Sequence, residues 1–236
     1  WWYRNRDFNK NGIAEYGATV DVKNKDKKSR VVAAAWESGM DNAPRFDLSD
    51  ELTVHDNFDA KGNLVGYSIN QESVELNAYL YREKLFLADM AALLGKKKEK
   101  VMFEKEARIV AQYIQDNMYD NSTGFFYDLR VMSNGETKLM VEQGKAIEGS
   151  IPLWAGAATK DQAEKVAATL LSESAFNTKV PMPTVSKDNE RYLPEKYWRG
   201  PVWLDQAYFA IKGLDNYGYG KEATKLAKKV IANAEG

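Results

Sequence analysis

The sequence predicts an all-α domain in which buried and amphipathic helices alternate. Three observations carry that reading. In residues 69–94, apolar side chains such as Val74, Leu76, Leu80, Leu87 and Met90 circle much of a helix, the pattern of a helix buried on several sides. In residues 97–118, Ala107, Val110, Ile114 and Met118 instead repeat at spacings of three and four opposite a charged face, which marks an outer helix. The segments between such helices are short, irregular or hairpin-like.

Each element follows in order. Trp1–Arg6 lead into Asp7-Phe8-Asn9-Lys10-Asn11-Gly12-Ile13-Ala14-Glu15. Oxygen-bearing side chains fall there at loop positions one, three, five and nine, with glycine at six. This is the front half of an EF-hand loop, and Ile13 would offer its carbonyl at position seven. The usual bidentate acid at position twelve is replaced by Ala18, so the loop also reads as a metal-free turn rich in Asx residues. Lys23–Lys28 form a charged, solvated loop.

Val31-Val32-Ala33-Ala34-Ala35 show no strand alternation and predict a buried helix over 31–39. Gly39 permits a left-handed cap, and Pro44 stops the helix from restarting. Met40–Ala43 must then form a tight loop, and Asp41 projects from the helix end; spacing alone equally allows an Asx turn. Val54–Phe58 and Leu64–Tyr67 flank Asp59–Asn63 as a short hairpin, and Gly95 caps the helix over 69–94. Phe125–Met140 predict a second hairpin, turning at Asn134-Gly135.

Gln143–Gly149 open a helix that runs to about residue 157, and 160–173 repeat Ala163, Val166, Ala167 and Leu170 on one face. Residues 176–199 are the longest stretch without a pattern, and four of the 6 prolines fall in or next to it. Long ordered loops of this kind are usually functional. Pro201 fits the first turn of a helix over 201–217. A last helix over 220–235 repeats Ala223, Leu226, Ala227, Val230, Ile231 and Ala234.

Composition narrows the chemistry. The 236 residues suffice for one large domain with a sizeable core. With 33 basic and 34 acidic side chains the formal charge is -1, so no basic excess points to nucleic acid or to an anionic membrane. The chain has 0 Cys and 1 His, His55 in a polar stretch, which removes disulfides, thiolate chemistry and multi-His metal sites. Carboxylates remain for acid–base work, and carboxylate pairs are the working groups of glycoside hydrolysis. The 6 Trp and 13 Tyr pack cores, and such rings also stack on the apolar faces of sugars. No signal peptide or transmembrane run is legible, and no compartment is assigned; a bacterial periplasmic or secreted setting is compatible.

The segment Trp36-Glu37-Ser38-Gly39-Met40-Asp41-Asn42-Ala43-Pro44-Arg45-Phe46-Asp47 resembles the acid-bearing motif of glycoside hydrolase family 63, with trehalases as more distant relatives. Three further segments match in the same order: Asp7–Gly17, Gln71-Glu72-Ser73, and Tyr197-Trp198-Arg199-Gly200-Pro201-Val202-Trp203. The resemblance implies an (α/α)6 barrel with the site at one mouth. About seven helices are legible, too few to close it, so 1–236 are expected to be a fragment of the catalytic domain that lacks the remainder of the parent barrel.

The resemblance implies an inverting glycosidase acting on an α-glucosidic or related bond of a small saccharide. Asp41 would be the general acid. Trp36, Asn42, Glu148, Trp198, Arg199 and Trp203 would line the saccharide subsite. At Glu148 a helix-start charge stabilised by the dipole is the alternative, and at Trp203 the alternative is plain core packing. A structural Ca2+ would sit among Asp7, Asn9, Asn11, the Ile13 carbonyl, Glu15 and Glu72, the last supplied by the resemblance. The general base, a glutamate in the family, has no match here and is expected beyond the C-terminus. Trehalase or mannosylglycerate hydrolase-like activity is the alternative among enzymes. A saccharide-binding module without chemistry, or a structural helical domain, is the alternative outside them.

Overall fold

A computed structural model describes residues 1–234; Glu235, the last residue of the expected final helix, lies outside them. Helices α1 (Trp2–Asn5), α2 (Lys27–Ser38), α3 (Val74–Leu93), α4 (Lys97–Asn117), α5 (Ile151–Ala155), α6 (Lys160–Leu171), α7 (Leu204–Asn216) and α8 (Gly220–Ala234) form most of the regular structure. Among them are set β1 (Glu15–Ala18), β2 (Val54–Phe58), β3 (Leu64–Glu72), β4 (Tyr119–Asp120), β5 (Phe125–Phe126), β6 (Leu129–Val131) and β7 (Thr137–Leu139). The chain is 48% helical and 13% strand, so helix dominates its regular structure and the expected all-α class is supported only loosely.

The strands account for the difference. β3 pairs antiparallel with β1, β2 and β6, and β6 pairs in turn with β7, giving one five-stranded sheet. The helix expected from residue 69 therefore begins only at Val74. Residues 69–72 are the end of β3, held by Glu15↔Glu72 on β1 and by Gln71↔Arg130 and Glu72↔Leu129 on β6. Ser73, in extended conformation, separates strand from helix. Both expected turns form. Asp59 Oδ1 accepts from the backbone N–H groups of Lys61 (2.8 Å) and Asn63 (2.9 Å) at the β2–β3 turn. Asn134-Gly135 turn the chain between β6 and β7, whereas Phe125-Phe126 pair backwards onto β4.

Helix α2 starts earlier than expected because Asp26 and Ser29 form a capping box, Asp26 Oδ1 accepting from Ser29 N–H at 2.7 Å. Gly39 closes it at φ 75°, as its position predicts. The helix is not buried all round: Val31, Ala34 and Ala35 face inward while Val32 and Trp36 face solvent. The expected helix before residue 157 is broken into a 3-10 turn, Ile147–Ser150, and the single turn of α5. Helix α7 starts at Leu204, not Pro201. The Pro201 carbonyl accepts from Thr184 N–H at 3.1 Å, and Trp203 stays extended as the N-cap.

Two clusters bury most apolar side chains. One gathers Ile114, Phe125, Phe126, Ile147, Leu153 and Phe176 with the inner faces of α6, α7 and α8. The other gathers Tyr16, Ala34, Met40, Phe46, Ile69, Leu76 and Trp198. This second cluster seats the Met40–Phe46 loop. The patternless stretch 176–199 is tied down by backbone bonds, among them Ile147 N–H to Thr184 O (2.9 Å) and Ser186 N–H to Lys145 O (3.0 Å). Gly200 is required where this stretch turns back, since a Cβ there would stand 2.7 Å from Pro194 Cα. No helix among the described residues is long and apolar enough to cross a membrane.

Candidate active site

The loop after α2 is short and held by a run of turn bonds. Met40 N–H donates to Ser38 Oγ (3.0 Å), Ala43 N–H to Met40 O (2.9 Å), Phe46 N–H to Ala43 O (3.0 Å) and Asp47 N–H to Pro44 O (3.0 Å). Met40, Ala43, Pro44, Arg45 and Phe46 are buried, and Asp41 alone among residues 40–46 is exposed, so its carboxyl faces solvent from a loop whose other side chains are mostly packed.

Asn42 brings a second segment to this loop. Its Oδ1 accepts from the Trp198 backbone N–H at 2.8 Å, across 156 residues of chain. Trp198 and Trp203 stack at 4.9 Å with planes 6° apart, and Tyr197 meets Trp203 edge-on at 5.0 Å. Trp203 Nε1–H donates to Tyr197 O (3.0 Å). Trp198 is only 6% exposed, and one of its faces is covered by Trp203; the open aromatic surface belongs to Tyr197. Arg199 is joined to Asp47, which also lies 3.8 Å from Arg191 Nε, so its fork is already engaged at the loop's end. Trp36 is 68% exposed and enters none of the aromatic pairs among the described residues.

Glu148 lies elsewhere, 8% exposed beneath the loop, in a small pocket shared with Arg45, Tyr127, Asp128, Met140 and Gln143. Arg45 donates from both Nη atoms to the Glu75 carboxylate and sits 3.4 Å from Asp128 Oδ2. Asp128 in turn accepts from Val74 N–H and from Gln71 Nε2, each at 2.8 Å. One guanidinium thus meets two buried carboxyls, with Glu148 in the same pocket. Burial pushes Glu148 up to about 7, reinforced by Asp128 and Glu75 and opposed by Arg45. Burial also raises Asp128, against the pull of Arg45. Burial alone lowers Arg45, but Asp128 and Glu75 outweigh it and hold the guanidinium well above its ordinary value.

Sequence reasoning missed Arg45, Glu75 and Asp128. Their signal was an ionisable residue inside an otherwise apolar run: Pro44-Arg45-Phe46, Val74-Glu75-Leu76 and Tyr127-Asp128-Leu129. Asp205, by contrast, is exposed in the first turn of α7.

The residues of the expected cation loop also converge. Asp7, Glu15 and Glu72 are buried, and Glu15 and Glu72 are register partners on β1 and β3. Asp7 accepts from the backbone of Asn11 and Gly12, both at 3.1 Å. Asn9 (3.3 Å) and Asn11 (2.7 Å) direct their amide Nδ2 at Glu72 Oε1, while Tyr113 Oη donates to Oε2 at 2.6 Å. Burial raises Glu72, and burial together with the Glu72 and Asp7 charges raises Glu15 well above the carboxylate range. Glu15 Oε1 is buried with no hydrogen-bond partner.

An all-oxygen donor set with uncompensated buried charge fits a hard divalent cation in kind. Ligation would need the Asn oxygens where the amide nitrogens now point. Among the described residues no group of three or more acids or His is arranged so that it could hold a metal ion as it stands.

Comparison with known proteins places this arrangement. The chain is 27% identical over 239 residues to a mannosylglycerate hydrolase of Rubrobacter radiotolerans, covering 83% of this chain and 52% of that protein. It is 25% identical over 269 aligned positions to mannosylglycerate hydrolase MGH1 of Selaginella moellendorffii, covering 97% and 50%. The chain spans about half the length of these curated relatives. The crystal structure of the GH63 mannosylglycerate hydrolase from Thermus thermophilus in complex with Tris superposes with a TM-score of 0.71 at 21% identity, over 100% of this chain and 60% of that one, so the fold is shared. The model of the mannosylglycerate hydrolase MGH1-like glycoside hydrolase domain matches residues 1–236, and the chain belongs to that family.

Proposed function

We propose that this chain is part of an inverting glycoside hydrolase of (α/α)6 architecture and that Asp41 is its general acid. One observation carries the reading: the exposed carboxyl of Asp41 sits on a short loop of successive turns joined, through Asn42 and Trp198, to the aromatic segment 197–203. In the reaction the bond between C1 of the sugar and the bridging oxygen breaks, and that oxygen takes the Asp41 proton. A water oxygen bonds to C1 from the opposite face and passes a proton to a base. Inversion needs the two carboxyls roughly 6.5–9.5 Å apart so that this water fits between them. Glu15 and Glu72 belong to the cation loop, and Glu148 and Asp205 do not match the family's base; we therefore look for the base outside residues 1–236.

Tyr197 and Trp203 supply the aromatic wall of the saccharide subsite, with Asn42, Trp198 and Arg199 holding that wall in place. Trp36 stands at the open rim, and Glu148 contributes from below through its pocket. Ca2+ is the cofactor of this reading, held by Asp7, Asn9, Asn11, Ile13, Glu15 and Glu72. Its part would be structural: bound among these residues, it would offset the buried charge of Glu15 and Glu72 and tie the N-terminal loop to β3, where Glu72 already accepts from Tyr113 of α4.

The names of the relatives put mannosylglycerate first among substrates, ahead of trehalose and the α-glucosides nigerose, kojibiose and maltose. The test is monosaccharide release from each by the full-length protein and by its Asp41→Asn variant. Release from one of them, reduced about 10²–10⁴-fold in the variant, is expected, since that is the usual worth of general acid catalysis. Binding without turnover would identify a saccharide-binding module instead.

A further inference from the structure

We infer that Arg45 is a positioning residue for Asp41, its buried guanidinium clamping the loop that carries the acid to two other elements of the fold. The inference rests on the reading of Asp41 as general acid.

Arg45 follows Asp41 by four residues, and no slack separates them. Three successive turn bonds, Ala43 N–H to Met40 O, Phe46 N–H to Ala43 O and Asp47 N–H to Pro44 O, span the interval. A shift at Arg45 is therefore passed along this run of turns toward Asp41. Arg45 is 2% exposed, and its guanidinium packs over the rings of Phe46 (4.9 Å) and Tyr16 (5.6 Å). Its partners come from separate places, Glu75 from the first turn of α3 and Asp128 from the segment between β5 and β6, while Glu148, on the 3-10 turn before α5, lines the same small pocket.

A buried ion pair contributes little stability compared with apolar groups of the same volume. Four ionisable groups at this point therefore call for another explanation. A two-pronged guanidinium–carboxylate contact fixes direction as well as distance, which an ammonium or an apolar side chain does not. An acid catalyst needs that control, because a misplacement of about 1 Å costs on the order of 10²-fold in rate.

The test compares two substrates of the full-length protein. Mannosylglycerate needs a proton on its departing oxygen. α-Mannosyl fluoride loses fluoride, which leaves without one. Arg45→Lys is expected to lower kcat on mannosylglycerate about 10²-fold while KM and turnover of the fluoride stay within about threefold of wild type. Glu75→Gln is expected to move the same way by a smaller factor, and it decides the matter if Arg45→Lys does not fold, as judged by thermal melting. Equal losses on both substrates would show that Arg45 supports the fold or sugar binding in general and would overturn the inference; so would wild-type kinetics in a folded variant. Asp41→Asn is the reference. If it spares mannosylglycerate, or loses both substrates equally, the acid assignment itself fails. If it behaves as an acid variant while Arg45→Lys and Glu75→Gln do not, only the positioning role fails.

Discussion

Replacing Glu148 by Gln tests the electrostatics of the buried cluster without disturbing its shape. In the fold Glu148 keeps its proton up to about pH 7, against an ordinary value of 4.5. The cause is burial, reinforced by Asp128 and Glu75 and opposed by Arg45. Tyr16, against Arg45 and Glu75, and Tyr79, near Glu75, are the other titratable groups at the cluster, and burial raises both. Between the two pH values the native chain holds a proton that the unfolded chain has released. The contribution is therefore complete below about pH 4.5 and lost as pH rises through about 7. At about 1.4 kcal/mol per pH unit the gap amounts to ~3 kcal/mol.

Glutamine is neutral throughout and escapes that loss. Urea unfolding at pH 5.0 is expected to give variant and wild type equal stability within about 1 kcal/mol, and at pH 8.5 to favour the variant by about 2–3 kcal/mol with an unchanged m value. A difference that does not change with pH, or one that favours wild type at high pH, refutes the reasoning. The second result would mean that Arg45 stabilises an ionised Glu148.

Two other outcomes follow from the same residues. Calcium is expected to raise the melting temperature and a chelator to lower it, with a stabilisation of ~2.7 kcal/mol at a hundredfold excess over the dissociation constant; melting indifferent to both would remove the ion from the account. Asp128→Ala strands Arg45 beside Glu75 and takes away the acceptor for Val74 N–H. A loss of about 3–5 kcal/mol in denaturant unfolding is expected, the usual cost of breaking a buried pair on one side, whereas a loss under about 1 kcal/mol would show the pair to be solvated.

The helical part of the fold was legible because it is written in local chemistry. The Ala107, Val110, Ile114 repeat of α4, the Ala163, Val166, Ala167, Leu170 face of α6 and the left-handed Gly39 and Gly95 all stand where the pattern put them. The sheet was not legible. β1 is four residues long and buried throughout, so it shows no alternation, and its partner β3 is reached only across a long separation. Ser68, Asn70, Gln71 and Glu72 are polar yet buried, because strand pairing and side-chain hydrogen bonds engage them, as when Asn57 Nδ2 donates to Ser68 Oγ; Gln71 Oε1 alone among their side-chain atoms is buried without a partner. Periodicity cannot register that.

The start of α7 was misplaced for a related reason. Proline tolerates a first helical turn, but here the Thr184 contact and the stacked Trp198 and Trp203 hold Pro201–Trp203 extended. In the site, the motif is what points to Asp41 and Asn42, and their loop was predicted from Gly39 and Pro44. The Arg45 cluster was invisible because its members, Glu75, Asp128 and Glu148, meet only in three dimensions, and a single charge in an apolar run carries no address.

The central claim, an inverting glycosidase with Asp41 as its acid, meets its most direct test in proton NMR of mannosylglycerate hydrolysis by the full-length protein. The account predicts that β-mannose appears first and that mutarotation later produces the α-anomer, with no sugar released by Asp41→Asn over the same period. α-Mannose as the first product, or full activity in Asp41→Asn, would contradict it.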